Sequence, residues 1–145
     1  MDTVSIEKWN QQKRDLQLPE RMEISHVREL LSRLPNGMSF LTELIKWEEE
    51  RLMLTKALLD RTTDEVVKEL LESKAPKWQV DLEKRSHPDI RKVEADLSKV
   101  KLRLDGLKMD METIKAKLDA VKKIANLEAN DVFGQLRSEG VRRGR

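Results

Sequence analysis

The chain of 145 residues is 39% charged and 3% aromatic, carries a formal net charge of +2, and contains neither tyrosine nor cysteine. Disulfides and thiolate metal centres are excluded, and the profile fits long helices with narrow buried stripes rather than a thick layered fold. The small net charge covers a gradient: residues 1–75 hold 12 Lys/Arg against 15 Asp/Glu, a net of −3, and residues 76–145 hold 17 against 12, a net of +5.

The apolar residues are periodic, which argues for an ordered all-α chain rather than a disordered one. Residues 1–20 read as an N-terminal arm with little structure of its own, in which Trp9, Leu16 and Leu18 are isolated anchors before Pro19. Residues 21–34 predict a short helix, with Ile24, Val27, Leu31 and Leu34 on one face. Leu34-Pro35-Asn36-Gly37 should stop it, since proline breaks the ladder and Asn-Gly favours a turn with positive φ. Ser39 can cap a second helix over residues 40–73, whose face of Phe40, Leu41, Leu44, Ile45, Trp47, Leu52, Leu54, Leu58, Leu59, Val66 and Leu70 is wide enough for two neighbours. Thr62-Thr63-Asp64-Glu65 has the spacing of a capping box and suggests a kink or restart near Arg61.

Residues 74–87 form a connector. Pro76 ends the preceding helix, and Trp78, Val80 and Leu82 then alternate with polar residues, the period of a short extended segment over residues 77–83.

The strongest signal lies in residues 88–128. Pro88 suits a first helical position and Asp89 complements the helix dipole. Ile90, Leu97, Leu104, Met111 and Leu118 then recur every seven residues, and Val93, Val100, Leu107, Ile114 and Val121 repeat the series three residues on. Ten apolar sites in phase predict a coiled-coil seam that partner helices must cover. Lys101, Lys108, Lys115 and Lys122 line its e edge, whereas the g edge reads Asp96, Arg103, Asp110, Lys117. In a parallel homodimer the two aspartates would meet lysine, but Arg103 and Lys117 would meet like charge, each pair being worth only ~0.5 kcal/mol. The helix over residues 40–73, with nine acidic against five basic residues, is the better cover. The expected fold is therefore a helical hairpin within residues 21–128, buttressed by the helix over 21–34. It should be oligomeric through leftover apolar surface such as Leu102 and Met109. Residues 129–145 lose the periodicity and read as a flexible basic tail with Arg137, Arg142, Arg143 and Arg145.

Few motifs carry chemistry. The lysine row could track phosphates, yet Asp105, Glu112 and Asp119 each precede one of its lysines by three residues, the ordinary pattern of a solvated helix face. The arginine tail is a better candidate for an anionic partner. His87-Pro88-Asp89 resembles the tripeptide by which J-domain co-chaperones engage their ATPase, although it also makes a plain helix start. Trp9, Trp47 and Trp78 could stack on bases, with core packing expected for the latter two. Glu48-Glu49-Glu50 reads as a solvated face rather than a divalent-ion site. His26 and His87 have no histidine or cysteine neighbours in sequence, and there is no phosphate loop or nucleophile elbow.

The expectation is a non-enzyme without cofactor or metal: a structural or adaptor protein that binds itself or another helical protein through the seam. The alternative is a small oligomeric accessory that binds single-stranded nucleic acid through the lysine row and the tail. In layout, on the stretch Lys115-Ala116-Lys117-Leu118-Asp119-Ala120-Val121-Lys122, the chain is similar to phage recombination mediators, which bind single-stranded DNA. No apolar run reaches the ~20 residues of a membrane span, and the first residues do not form a secretory signal. A cytoplasmic protein, or a nuclear one in a eukaryote, is expected, with no membrane partner.

Overall fold

The computed structural model describes residues 3–143, with the side chains of residues 5–129. Four helices account for the secondary structure, α1 (Thr3–Asp15), α2 (Ile24–Glu72), α3 (Lys77–Ser86) and α4 (Pro88–Arg143), and no strand occurs among the described residues. The fold is all-α.

The segment expected to be an unstructured arm forms α1. Trp9 and Leu16, apparently isolated, stand one heptad apart and so share a helix face, and both are 1% exposed. Their burial outweighs the brief alternation of Val4 and Ile6.

The two helices expected over 21–34 and 40–73 are a single helix, α2, with Pro35 inside it. Proline removes one ladder bond and crowds the preceding turn, at a cost of roughly 3 kcal/mol. The buried residues Val27, Leu30 and Leu34 before it, and Leu41 and Leu44 after it, keep one helical phase across the break. Packing on both flanks thus overrides the local stop signal. No described glycine has a positive φ, so Gly37 is not used as a turn residue. Its missing side chain matters instead for approach: a Cβ there would lie 2.7 Å from Cδ1 of Leu16. Nor does α2 restart at Thr62. Thr63 returns its hydroxyl to the Leu59 carbonyl at 2.8 Å, and the helix continues.

Helix α2 ends at a left-handed residue, Lys74, with φ 58°. The Ala75 N–H donates to the Leu70 carbonyl at 2.9 Å and the Lys74 N–H to that of Leu71 at 3.1 Å, a Schellman closure. The extended segment expected at 77–83 is helical. Val80 is buried while Trp78 and Leu82, four residues apart, share the outer face. An apolar residue on each side of one short helix mimics strand alternation over three positions.

At the start of α4, the Arg91 N–H donates to the His87 carbonyl at 3.0 Å. The Asp89 N–H donates to His87 Nδ1 at 3.2 Å, so His87-Pro88-Asp89 forms a helix start. The helix does not stop near residue 128 but runs on to Arg143 through the segment expected to be a flexible tail.

The chain divides into two compact units, Leu44–Lys108 and the segments that flank it. Within Leu44–Lys108, Glu48 of α2 faces Arg103 of α4 and Glu49 faces Lys108. The α3 connector is too short to return the chain to the far end of α2, so the two segments run antiparallel. In the other unit, Trp9 of α1 stacks on Phe40 of α2 with ring centroids 6.3 Å apart. Leu16 lies under Gly37, and so α1 is antiparallel to this part of α2. Trp9 meets Asp110 and Leu16 meets Lys117, which makes α1 parallel to this part of α4.

Gly37 and Gly106 differ in what surrounds them, since nothing lies within 4 Å of a Cβ built on Gly106. Gly106→Ala should stabilise the protein by about 0.5–1 kcal/mol through helix propensity. Gly37→Ala should be net destabilising, because Leu16 is fully buried and overpacking costs about 1–3 kcal/mol. Urea unfolding of the two variants checks this, and equal stabilisation by both would contradict the packing described here.

Candidate interaction surface

The ten seam residues of α4 are covered within the chain. Ile90, Val93, Val100, Leu104, Leu107, Ile114 and Val121 are buried, and Leu97, Met111 and Leu118 are half-buried. As an interface for another molecule, the seam is already occupied by the chain's own helices.

The uneven g edge has its explanation in these contacts. Asp110 accepts a hydrogen bond from Trp9 Nε1 at 3.0 Å and pairs with Lys13 Nζ at 3.0 Å. Lys117 Nζ donates to the Leu16 carbonyl at 3.4 Å, just past the end of α1. Arg103 Nε lies 3.7 Å from Glu48 Oε2. Arg103 and Lys117, which would meet like charge in a parallel homodimer, and Asp110 between them thus match three different sites within the chain. On the e edge, Lys108 pairs loosely with Glu49 at 3.9 Å and Lys115 with Glu112 at 3.9 Å. Pairs this open to water add little.

Glu48 does not lie on a solvated face as the Glu48-Glu49-Glu50 run suggested. It is 0% exposed, and neither carboxylate oxygen has a hydrogen-bond partner. The signal was available in the sequence: Leu41, Leu44 and Leu52 stand seven before, four before and four after it, which places position 48 on the apolar face of α2.

The tryptophans also depart from expectation. Trp47 is 50% exposed and Trp78 69% exposed, whereas Trp9, the one assigned to an arm, is buried. Successive helical residues turn by about 100°. Trp47, Leu54 and Leu58 therefore align in a stripe about a quarter-turn or slightly more around α2 from the buried face of Leu44, Glu48 and Val66. This stripe is exposed, as are Leu71, Trp78, Leu82 and Leu102 in the same unit. Val67 and Leu71 line an open groove of about 450 Å³ with Asp64, Lys68 and Glu72. The broad apolar face read from the sequence thus divides: Leu41, Leu44 and Val66 are buried, Trp47, Leu54 and Leu58 are exposed, and the other five are half-buried.

Lys101, Lys108, Lys115 and Lys122 are all exposed. The side chains of Arg137, Arg142, Arg143 and Arg145 lie outside the described residues. Among the described residues, no group of three His, Cys, Asp or Glu side chains is placed to hold a metal ion, and no helix is long and apolar enough to cross a membrane. Comparison with protein-family models, with curated proteins and with solved structures gave no match for this chain.

The α1 contacts give a direct test. Asp110→Ala leaves the indole N–H of the buried Trp9 without its acceptor and Lys13 without its partner. The loss should be about 1–3 kcal/mol, measured by urea unfolding. Asp110→Asn, which keeps an acceptor oxygen for the indole, should lose less; a neutral Asp110→Ala would show that α1 is held by other means.

Proposed function

We propose that this chain is a non-enzymatic helical assembly protein that binds a second copy of itself or another helical protein, with no cofactor. The observation that supports this reading most is the exposed stripe of Trp47, Leu54 and Leu58 beside an apolar face that is already full. Large side chains left in water at helical spacing are the usual mark of a helix-in-groove or helix-on-helix contact. In this reading the heptad seam is an internal support that leaves the stripe exposed. The chemistry offered is burial of apolar surface, with charged residues of both signs around it to orient the partner. A cytoplasmic setting, or a nuclear one in a eukaryote, belongs to the same proposal.

The test is the mass in solution. The unmodified chain should be larger than a monomer by light scattering at micromolar concentration. Replacing Leu54 and Leu58 together by glutamate should return it to a monomer, with helix content retained because neither residue belongs to the core. An unmodified chain that is monomeric at all concentrations, and that binds no partner helix, would remove the basis of the proposal.

A second reading rests on Trp78. The side chain is mostly exposed on α3, whose last turn holds Lys84 and Arg85 and whose first residue is Lys77. An open indole can stack on a base while cations elsewhere on the same helix meet phosphates. This supports an oligomeric accessory to single-stranded nucleic acid, like the phage recombination mediators that the chain resembles in layout. A short labelled oligonucleotide should bind in a salt-sensitive way, and Trp78→Ala or removal of residues 137–145 should weaken it several-fold. No binding at low salt would leave assembly alone.

A further inference from the structure

A heptad seam has a weakness that follows from its regularity. Slide α4 by seven residues, about 10 Å along its axis, and Val93 takes the place of Val100 while Leu97 takes that of Leu104. The sites from Leu97 to Val121 again receive apolar side chains, and only the first two, those of Ile90 and Val93, would receive Glu83 and Ser86, so over most of the seam apolar burial hardly separates the two alignments. The e edge does not help. It presents lysine in consecutive heptads around the contact, at Lys101, Lys108 and Lys115, so Glu49 would meet Lys101 after a slip as it meets Lys108 now.

We propose that Glu48 is the residue that sets the register of α2 against α4 in the Leu44–Lys108 unit. Its carboxylate is fully buried and stands 3.7 Å from Arg103 Nε. One heptad to either side, the g edge of α4 carries Asp96 or Asp110 in place of Arg103. A slip in either direction would set a second carboxylate against one that has no water to relieve it, and such an arrangement is strongly disfavoured. Of these three alignments, only the native one sets a g-edge cation opposite Glu48.

The pair contributes by exclusion rather than by strength. Both oxygens of Glu48, and Nε of Arg103, lack hydrogen-bond partners, and a buried ion pair so poorly satisfied is often less stabilising than apolar residues of the same size. Selecting one alignment at some expense of stability is the best-attested use of a buried polar residue between helices.

The absence of cysteine makes the test clean. Cysteines at positions 49 and 108 report the native register, and cysteines at 49 and 101 report the register slipped by one heptad. Both pairs replace exposed side chains, so the packing is left intact. In the otherwise unmodified chain only the first pair should cross-link. Exchanging the g-edge charges by Asp96→Arg with Arg103→Asp moves the cation one heptad. Cross-linking of 49 with 108 should then fall at least tenfold while 49 with 101 appears. Glu48→Leu, which keeps the helix pair apolar and folded, should raise the melting temperature and let both pairs form. Retention of the 49–108 cross-link alone in either the charge exchange or Glu48→Leu, with helix content retained, overturns the proposal.

Discussion

An apolar strip from Ile90 to Val121 has to be shielded from water, and the rest of the molecule can be understood as the means of shielding it. At roughly 25 cal/mol per Å² of apolar surface, leaving ten aliphatic side chains wet would outweigh every surface ion pair in the chain. The chain meets this requirement in two ways along one helix. Between Leu44 and Lys108 the cover is the antiparallel run of α2. In the other unit the cover includes α1, which lies parallel to α4 and is held to it by Asp110 and Lys117. The pattern of signs on the g edge reflects these changing neighbours, and for that reason it looks incoherent when matched against a copy of itself.

The legible part of the fold was the part written in a repeat. The phase of α4, its start at Pro88 and the identity of its buried residues all followed from spacing, because the same face stays buried over many turns. Where the sequence misled, a short local signal competed with a distant contact. Pro35-Asn36-Gly37 is a persuasive stop, yet α2 passes through it, since Leu34 and Leu41 are buried on one line and Leu16 needs the space above Gly37. The alternation of Trp78, Val80 and Leu82 resembles a strand only until one asks which of the three is buried. Only Val80 is. Trp9 and Leu16 looked unconnected because their partners, Phe40 and Gly37 on one side and Asp110 on the other, are far away in the sequence.

The candidate surface was legible in outline and not in its division. Counting apolar positions on α2 revealed a face too broad for one neighbour, but not which half would be filled. Glu48 settles part of that question in retrospect: it lies on the buried side, whereas Trp47, one residue earlier, lies on the open one. A tryptophan in water beside a glutamate in the core reverses the ordinary preference of both residues. Such reversals are where a chain departs from what stability alone would select.

One consequence of the way α1 is attached concerns its existence as a helix at all. With 13 residues, it is about the length at which an isolated peptide is only marginally helical in water. Its order therefore depends on Trp9 and Leu16 being seated. Undocking and melting of this segment are a single event: α1 behaves as a clasp that is either closed and coiled or open and random.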